Sequence, residues 1–187
     1  MRARLAVVGR WVRKCGWPWS GLVVACALVW SGCVPDSPAP QPVFASAGRS
    51  GPVHFRYPII DGRSYLGSDS LRGRPTVLGF LTTYDMASQA QARFLNAIVQ
   101  RHAGRVQVAA IVLESAENRP LIIAFRDGLD LGYPMAIGDP DIIKGEGPFG
   151  DVQTVPATIV LDASLRVVWK KTGIVREEEI EKVLREL

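Results

Sequence analysis

The chain of 187 residues has room for a leader and one folded domain, because single domains usually span about 100 to 150 residues. Its net charge is +4, but residues 1–33 carry five basic residues and no acidic residue. The remaining 17 basic residues face 18 acidic residues, so residues 34–187 carry a net charge of −1. This balance argues against nucleic acid as a partner.

Residues 1–33 show the order of features of a secretory signal peptide. A basic segment ends at Lys14, an apolar stretch covers residues 22–30, and small residues lead to Cys33. This order predicts that the protein is exported. The apolar stretch is shorter than the about 20 residues of a membrane-spanning helix, so an uncleaved anchor is the second interpretation.

The end of this leader, residues 28–33, resembles a bacterial lipobox, in which a cysteine after small residues becomes the lipid-modified first residue of the mature protein. The resemblance implies that Cys33 anchors the protein to a membrane. A competing match ends at Cys26, and an ordinary signal peptide in which Cys33 has no role is a further alternative. Four prolines lie between residues 35 and 42, so residues 34–51 are predicted to form an extended tether.

Residues 52–187 are predicted to form an α/β domain, because short apolar runs alternate with longer amphipathic stretches. Asp61 and Gly62 predict the turn of a hairpin between residues 53–57 and 63–66. Gln91 falls outside the apolar face of the first long helix. Five further strands are predicted at 76–81, 106–113, 134–137, 157–161 and 167–171, and helices at 87–102, 120–129 and 177–187.

Two segments resemble the TlpA-like and redoxin (AhpC/TSA) branch of the thioredoxin-like superfamily. Residues 71–80 (LRGRPTVLGF) are similar to the strand that leads to the active site of that family, and residues 154–162 (TVPATIVLD) to a later strand. Gly173 stands where the family has a glycine after its last strand. The resemblance covers about residues 53–187 and implies a thioredoxin-like fold, with a central mixed sheet flanked by helices.

The resemblance breaks at the redox motif. In the family, the first of these strands runs into a Cys-x-x-Cys motif at the start of a helix. Here Asp85 replaces the nucleophilic cysteine and Ser88 replaces the resolving one. The chain has three cysteines, Cys15, Cys26 and Cys33, all within the leader. Because disulfide exchange needs a thiolate and a second thiol, the domain is predicted to have a degenerate active site.

Asp85 also has a purely structural explanation. Aspartate is among the best N-cap residues, and Ser88 stands three positions later, at N3. The helix dipole favours an ionised carboxylate, so Asp85 is not predicted to act as a general acid.

Pro156 matches the cis-proline of the family. The resemblance implies that Val155 offers its backbone to an extended peptide, whereas a rigid turn into the strand is the structural alternative. A groove between Tyr84 and Val155 is therefore a candidate peptide-binding site.

The sequence predicts no metal site and no cofactor. His54 and His102 have no cysteine to complete a metal site. The loop 138–150 is predicted to be a solvated turn, and its acidic residues lack the spacing of a calcium loop.

These features predict a membrane-anchored, extracytoplasmic thioredoxin-fold protein that binds a protein or peptide of the cell envelope without catalysis. The alternative is a TlpA-like thiol-disulfide oxidoreductase or a peroxiredoxin-related enzyme whose thiols a partner supplies. A third interpretation, a lipoprotein that binds a small ligand for transport, has no motif to support it.

Overall fold

The computed structural model describes residues 51–150 and 152–187. The predicted signal peptide, the predicted lipid anchor at Cys33 and the predicted tether, apart from its last residue Gly51, therefore lie outside the described residues. Two short strands form an N-terminal hairpin, β1 at Arg56–Pro58 and β2 at Tyr65–Gly67. The five strands of the main sheet are β3 at Thr76–Leu81, β4 at Gln107–Val112, β5 at Met135–Ile137, β6 at Ala157–Leu161 and β7 at Val167–Thr172.

The main sheet is mixed, with the strand order β5-β4-β3-β6-β7. Strand β3 lies at its centre, parallel to β4 and antiparallel to β6. The hairpin covers the edge of β5, since Ile59 bridges to Ala136 and the Ile60 N–H donates to the Met135 carbonyl at 3.0 Å. The predicted hairpin, strands and mixed sheet are confirmed, with boundaries that differ by a few residues at most.

Three longer helices and two single turns connect these strands. They are α1 at Ser68–Leu71, α2 at Met86–Arg101, α3 at Arg119–Gly128, α4 at Pro140–Ile143 and α5 at Glu177–Arg185, with a 3-10 turn at Ala116–Asn118. None of the helices in the described residues combines the length and the apolar character that a membrane crossing requires.

Each face of the sheet packs into its own apolar cluster, because alternate side chains of a strand point to opposite faces. Val77 and Leu81 of β3 join the cluster that contains Leu95 of α2 and Ile180 of α5. Leu78 and Phe80 of β3 join the cluster formed with the hairpin and with Ile142, Phe149 and Val152. Trp169 of β7 is buried in the first cluster.

Gly79 allows α2 to lie close to the centre of the sheet. A Cβ atom at this position would stand 2.4 Å from Cδ1 of Leu95, which is fully buried. The missing side chain therefore allows α2 to pack closely on the middle of β3 at Leu95.

The loop 138–150 differs in part from the predicted solvated turn. It contains α4, whose first turn is capped by the Asp139 carboxylate, which accepts from the Ile142 N–H at 2.9 Å. Ile142 and Phe149 are buried, whereas the acidic side chains of the loop are exposed. Isolated apolar residues between glycines and prolines have no periodicity, and their burial depends on contacts from distant strands.

Candidate functional site

Three segments meet at the end of the sheet where β3 stops. Strand pairing joins Phe80 to Ala157 and Ala157 to Thr172. Continuing this register by one residue brings Pro156 between Leu81 and Gly173. The Gly173 N–H donates to the Pro156 carbonyl at 2.7 Å, which agrees with that register. Segments 82–86, 154–156 and 173–175 therefore lie side by side, and we call the surface they form the site groove.

Asp85 closes the first turn of α2. Its Oδ1 accepts from the Ser88 N–H at 2.7 Å, and its Oδ2 accepts from the Thr82 hydroxyl. The Ser88 hydroxyl, in turn, accepts from the Thr82 N–H at 3.1 Å. The predicted N-cap role of Asp85, with Ser88 at N3, is confirmed. These side chains thus hold the loop between β3 and α2 in a fixed conformation.

These contacts determine the charge of Asp85. Desolvation by burial acts to raise the pKa of Asp85, but hydrogen bonds from Ser88 and Thr82 and from backbone N–H groups of α2 outweigh it and lower that pKa below its usual value. Asp85 is therefore an anion at neutral pH. A carboxylate held in this state accepts hydrogen bonds and attracts cations, but it is not a proton donor for catalysis.

Glu114 supports the loop from the neighbouring strand. Its side chain is buried, and its Oε1 accepts from the Thr83 N–H. Its Oε2 accepts from Nδ2 of Asn118 at 2.9 Å. Sequence reasoning missed Glu114, although an acidic residue directly after a buried strand was the available signal. Glu114 therefore ties the loop after β3 to the loop after β4.

Gln91 supports the groove from the other side. Gln91 was predicted to lie outside the apolar face of α2. This prediction was wrong, because Gln91 is fully buried. Its Oε1 accepts from the Val175 N–H at 2.6 Å. This bond links α2 to the segment between β7 and α5. Together with the bond from Gly173 to Pro156, it anchors both neighbours of Ile174.

The site groove presents apolar side chains to solvent. Tyr84 is 77% exposed, Met86 is 78% exposed and Ile174 is 48% exposed. Val155 is half-buried, and the Val155–Pro156 peptide bond is cis, as the resemblance implied. The backbone N–H and carbonyl of Val155 form no backbone hydrogen bond with any other residue that the structure describes. Ile174 was not predicted, because nothing in the sequence relates it to Asp85.

The histidines lie away from the site groove. His54 is exposed in the segment before β1, and His102 follows α2, where its Nε2 lies 3.6 Å from Oε1 of Glu181. In residues 51–150 and 152–187, no three His, Cys, Asp or Glu side chains are grouped so that they could hold a metal ion.

The architecture is similar to that of solved thioredoxin-fold proteins. A DsbF homologue from Corynebacterium diphtheriae matches with a TM-score of 0.65 and 20% identity over 81% of this chain and 96% of that chain. A thiol:disulfide interchange protein of the thioredoxin family from Chlorobium tepidum TLS matches with a TM-score of 0.60 and 20% identity, over 76% and 98%. A secreted Mycobacterium tuberculosis disulfide oxidoreductase homologous to E. coli DsbE matches with a TM-score of 0.58 and 19% identity, over 71% and 96%.

No family model matches the sequence, and no curated protein sequence matches it. At these identities the solved structures establish the fold. The chain has a thioredoxin-like fold, as predicted.

Replacing Asp85 tests the cap. We expect Asp85→Ala to lower the free energy of unfolding by about 1 to 2 kcal/mol, because the Ser88 N–H loses its acceptor. Asp85→Asn keeps an acceptor oxygen and should therefore lower the free energy of unfolding by a smaller amount. Urea denaturation followed by circular dichroism measures both. Asp69→Ala, at an exposed acidic residue of α1, is the control and should have little effect.

The pH dependence of the stability of the wild type and of the same variants tests whether Asp85 is ionised in the folded protein. Since the folded pKa of Asp85 is lowered, its ionisation stabilises the fold above the unfolded pKa of about 3.9, and this contribution is lost as the pH falls through the folded pKa. The free energy of unfolding of the wild type should therefore exceed that of Asp85→Asn by a constant amount above about pH 5, and this difference should shrink below about pH 4. A difference that is undiminished at about pH 2 would contradict the assignment of the lowered pKa to Asp85.

Proposed function

We propose that this chain is a lipid-anchored, extracytoplasmic protein related to the TlpA-like and redoxin branch, which binds another envelope protein through the site groove without thiol chemistry. The observation that carries the proposal is the Asp85 carboxylate, held by Thr82 and Ser88 at the position of the nucleophilic thiol. It keeps a negative charge at that position and removes the sulfur.

The sequence gives the chemical reason for excluding an ordinary redox cycle. Residues 34–187 contain no cysteine. Disulfide exchange proceeds by attack of a thiolate on a disulfide sulfur, and a second thiol then resolves the mixed disulfide. Neither a carboxylate nor a hydroxyl can form or break a bond between sulfur atoms. If the groove acts on a partner, it therefore acts by binding.

The form of the groove supports a binding role. Large exposed apolar side chains on one surface are typical of interaction sites, and Tyr84, Met86 and Ile174 supply them here. The backbone of Val155, which forms no backbone hydrogen bond with the described residues, offers a donor and an acceptor to an extended peptide, as in strand addition. Glu114 and Gln91 fix the segments beforehand, which reduces the entropy lost when a partner binds.

The leader supports the location. A basic segment, an apolar stretch and Cys33 after small residues make up an export signal with a lipid attachment site. Some of the similar solved proteins are described as secreted. The prolines after Cys33 favour an extended tether that holds the domain away from the membrane surface.

The alternative function is that of a thiol-disulfide oxidoreductase whose thiols come from a partner. The similarity to disulfide oxidoreductases favours it, and the missing cysteines oppose it. An assay of insulin reduction and of peroxide turnover by the full chain in detergent separates the two functions. The binding role predicts no turnover above a heat-denatured control, and measurable turnover would overturn it.

Restoring the thiols tests whether the site keeps the frame of a redox centre. We expect Asp85→Cys combined with Ser88→Cys to gain insulin reductase activity. The groups that now hold the carboxylate, namely the first N–H groups of α2 and the Thr82 hydroxyl, would lower the pKa of a thiol at position 85. Asp85→Cys alone is the control and should not turn over, because it lacks a resolving thiol. A double variant that is folded but inactive would show that the groups around positions 85 and 88 no longer support a redox-active pair of thiols.

Cys33 provides a separate test of the anchor. Intact-mass and N-terminal analysis of the mature protein should find a lipid-modified Cys33 as the first residue. Cys33→Ala should move the protein from the membrane fraction to the soluble exported fraction. A mature chain that begins elsewhere, or a Cys33→Ala variant that stays on the membrane, would contradict the proposed attachment.

A further inference from the structure

The site groove carries one charge that no side chain in its lining balances. The lining segments, residues 82–86, 154–156 and 173–175, contain Asp85 and no lysine, arginine or histidine. Along the chain, Arg176 directly follows the last of these segments, and Lys171 precedes it by two residues and pairs with Glu179. No ion pair of the described residues includes Asp85.

The hydrogen bonds to Asp85 do not replace a counter-charge. Its Oδ1 accepts from the Ser88 N–H and its Oδ2 from the Thr82 hydroxyl, and the Ser88 hydroxyl and the Ala87 N–H also favour the ionised carboxylate. All of these donors are neutral. A partner that covers Asp85 removes water from an ionised group, which is costly unless the partner supplies a positive charge.

Apolar side chains stand on both sides of this carboxylate. Tyr84 and Met86 precede and follow Asp85 along the chain, and both are more than three-quarters exposed. Gly173 pairs with Pro156, and Ile174 directly follows Gly173 in the chain. Ile174 therefore lies across the groove from the loop after β3. Asp85 is thus an anion with exposed apolar side chains on either side of it.

We propose that the occupant of the site groove is an extended peptide segment in which a lysine or arginine stands between apolar residues. This inference rests on the proposed binding function and names the chemistry of its partner. In an extended segment, residues two positions apart face the same side. A basic residue on Asp85 therefore places the residues two positions before and after it toward the apolar patches.

Three labelled peptides test the inference by fluorescence anisotropy with the full chain in detergent micelles. The first has the sequence Ser-Val-Thr-Lys-Thr-Val-Ser, and the others carry Glu or Gln in place of Lys. We expect the wild type to prefer the Lys peptide over the Glu peptide by about tenfold, with a preference that falls as salt is added. In Asp85→Asn the ratio should approach one. Asp69→Asn, which removes an exposed charge from α1, should leave the ratio unchanged.

The remaining variants separate failure of the inference from failure of the binding function. Tyr84→Ala and Met86→Ala should weaken the binding of all three peptides. Circular dichroism should confirm that every variant is folded. Equal binding of the three peptides by the wild type, weakened by Tyr84→Ala, would overturn the charge preference and leave a peptide groove. Absence of any binding that depends on Tyr84 would overturn both.

Discussion

The hydrogen bonds around Asp85 determine the shape of the loop between β3 and α2, and the site groove depends on that loop. The carboxylate accepts from Ser88 and Thr82, and the Ser88 hydroxyl accepts from the Thr82 backbone. Thr82, Asp85 and Ser88 are thus paired with one another. The side chains on either side of Asp85, those of Tyr84 and Met86, are left in solvent. One interaction therefore caps a helix and presents an apolar surface.

In the proposed function a carboxylate stands in the place of a thiolate, and this changes what this end of the sheet can do. Both groups are anions stabilised by a helix N-terminus, but only the thiolate exchanges with a disulfide. In this chain the anion is permanent at neutral pH, since hydrogen bonds lower the pKa of Asp85 despite its desolvation. Glu114 and Gln91 add rigidity from β4 and α2. We propose that these features form a preformed surface that recognises a partner by charge and apolar contact.

The sequence predicted the parts of the structure that depend on local patterns. Buried apolar runs indicated the strands of the sheet, and the spacing of Asp85 and Ser88 indicated the helix cap. Contacts between residues far apart in the chain were not predictable from such patterns. Glu114 meets Thr83 across 31 positions, and Gln91 meets Val175 across 84. Ile174 joins the groove only through the register of β6 and β7, which no local pattern encodes.

The central claim is that a partner binds the site groove without thiols, and site-specific photo-cross-linking in cells tests it most directly. A benzophenone amino acid is introduced at Tyr84, and at Leu121 of α3 as an exposed apolar control. The account predicts a discrete adduct from position 84 that position 121 does not give, and that persists when a membrane-permeant reagent blocks cellular thiols. No adduct beyond that of position 121, or an adduct that disappears when thiols are blocked, would contradict it.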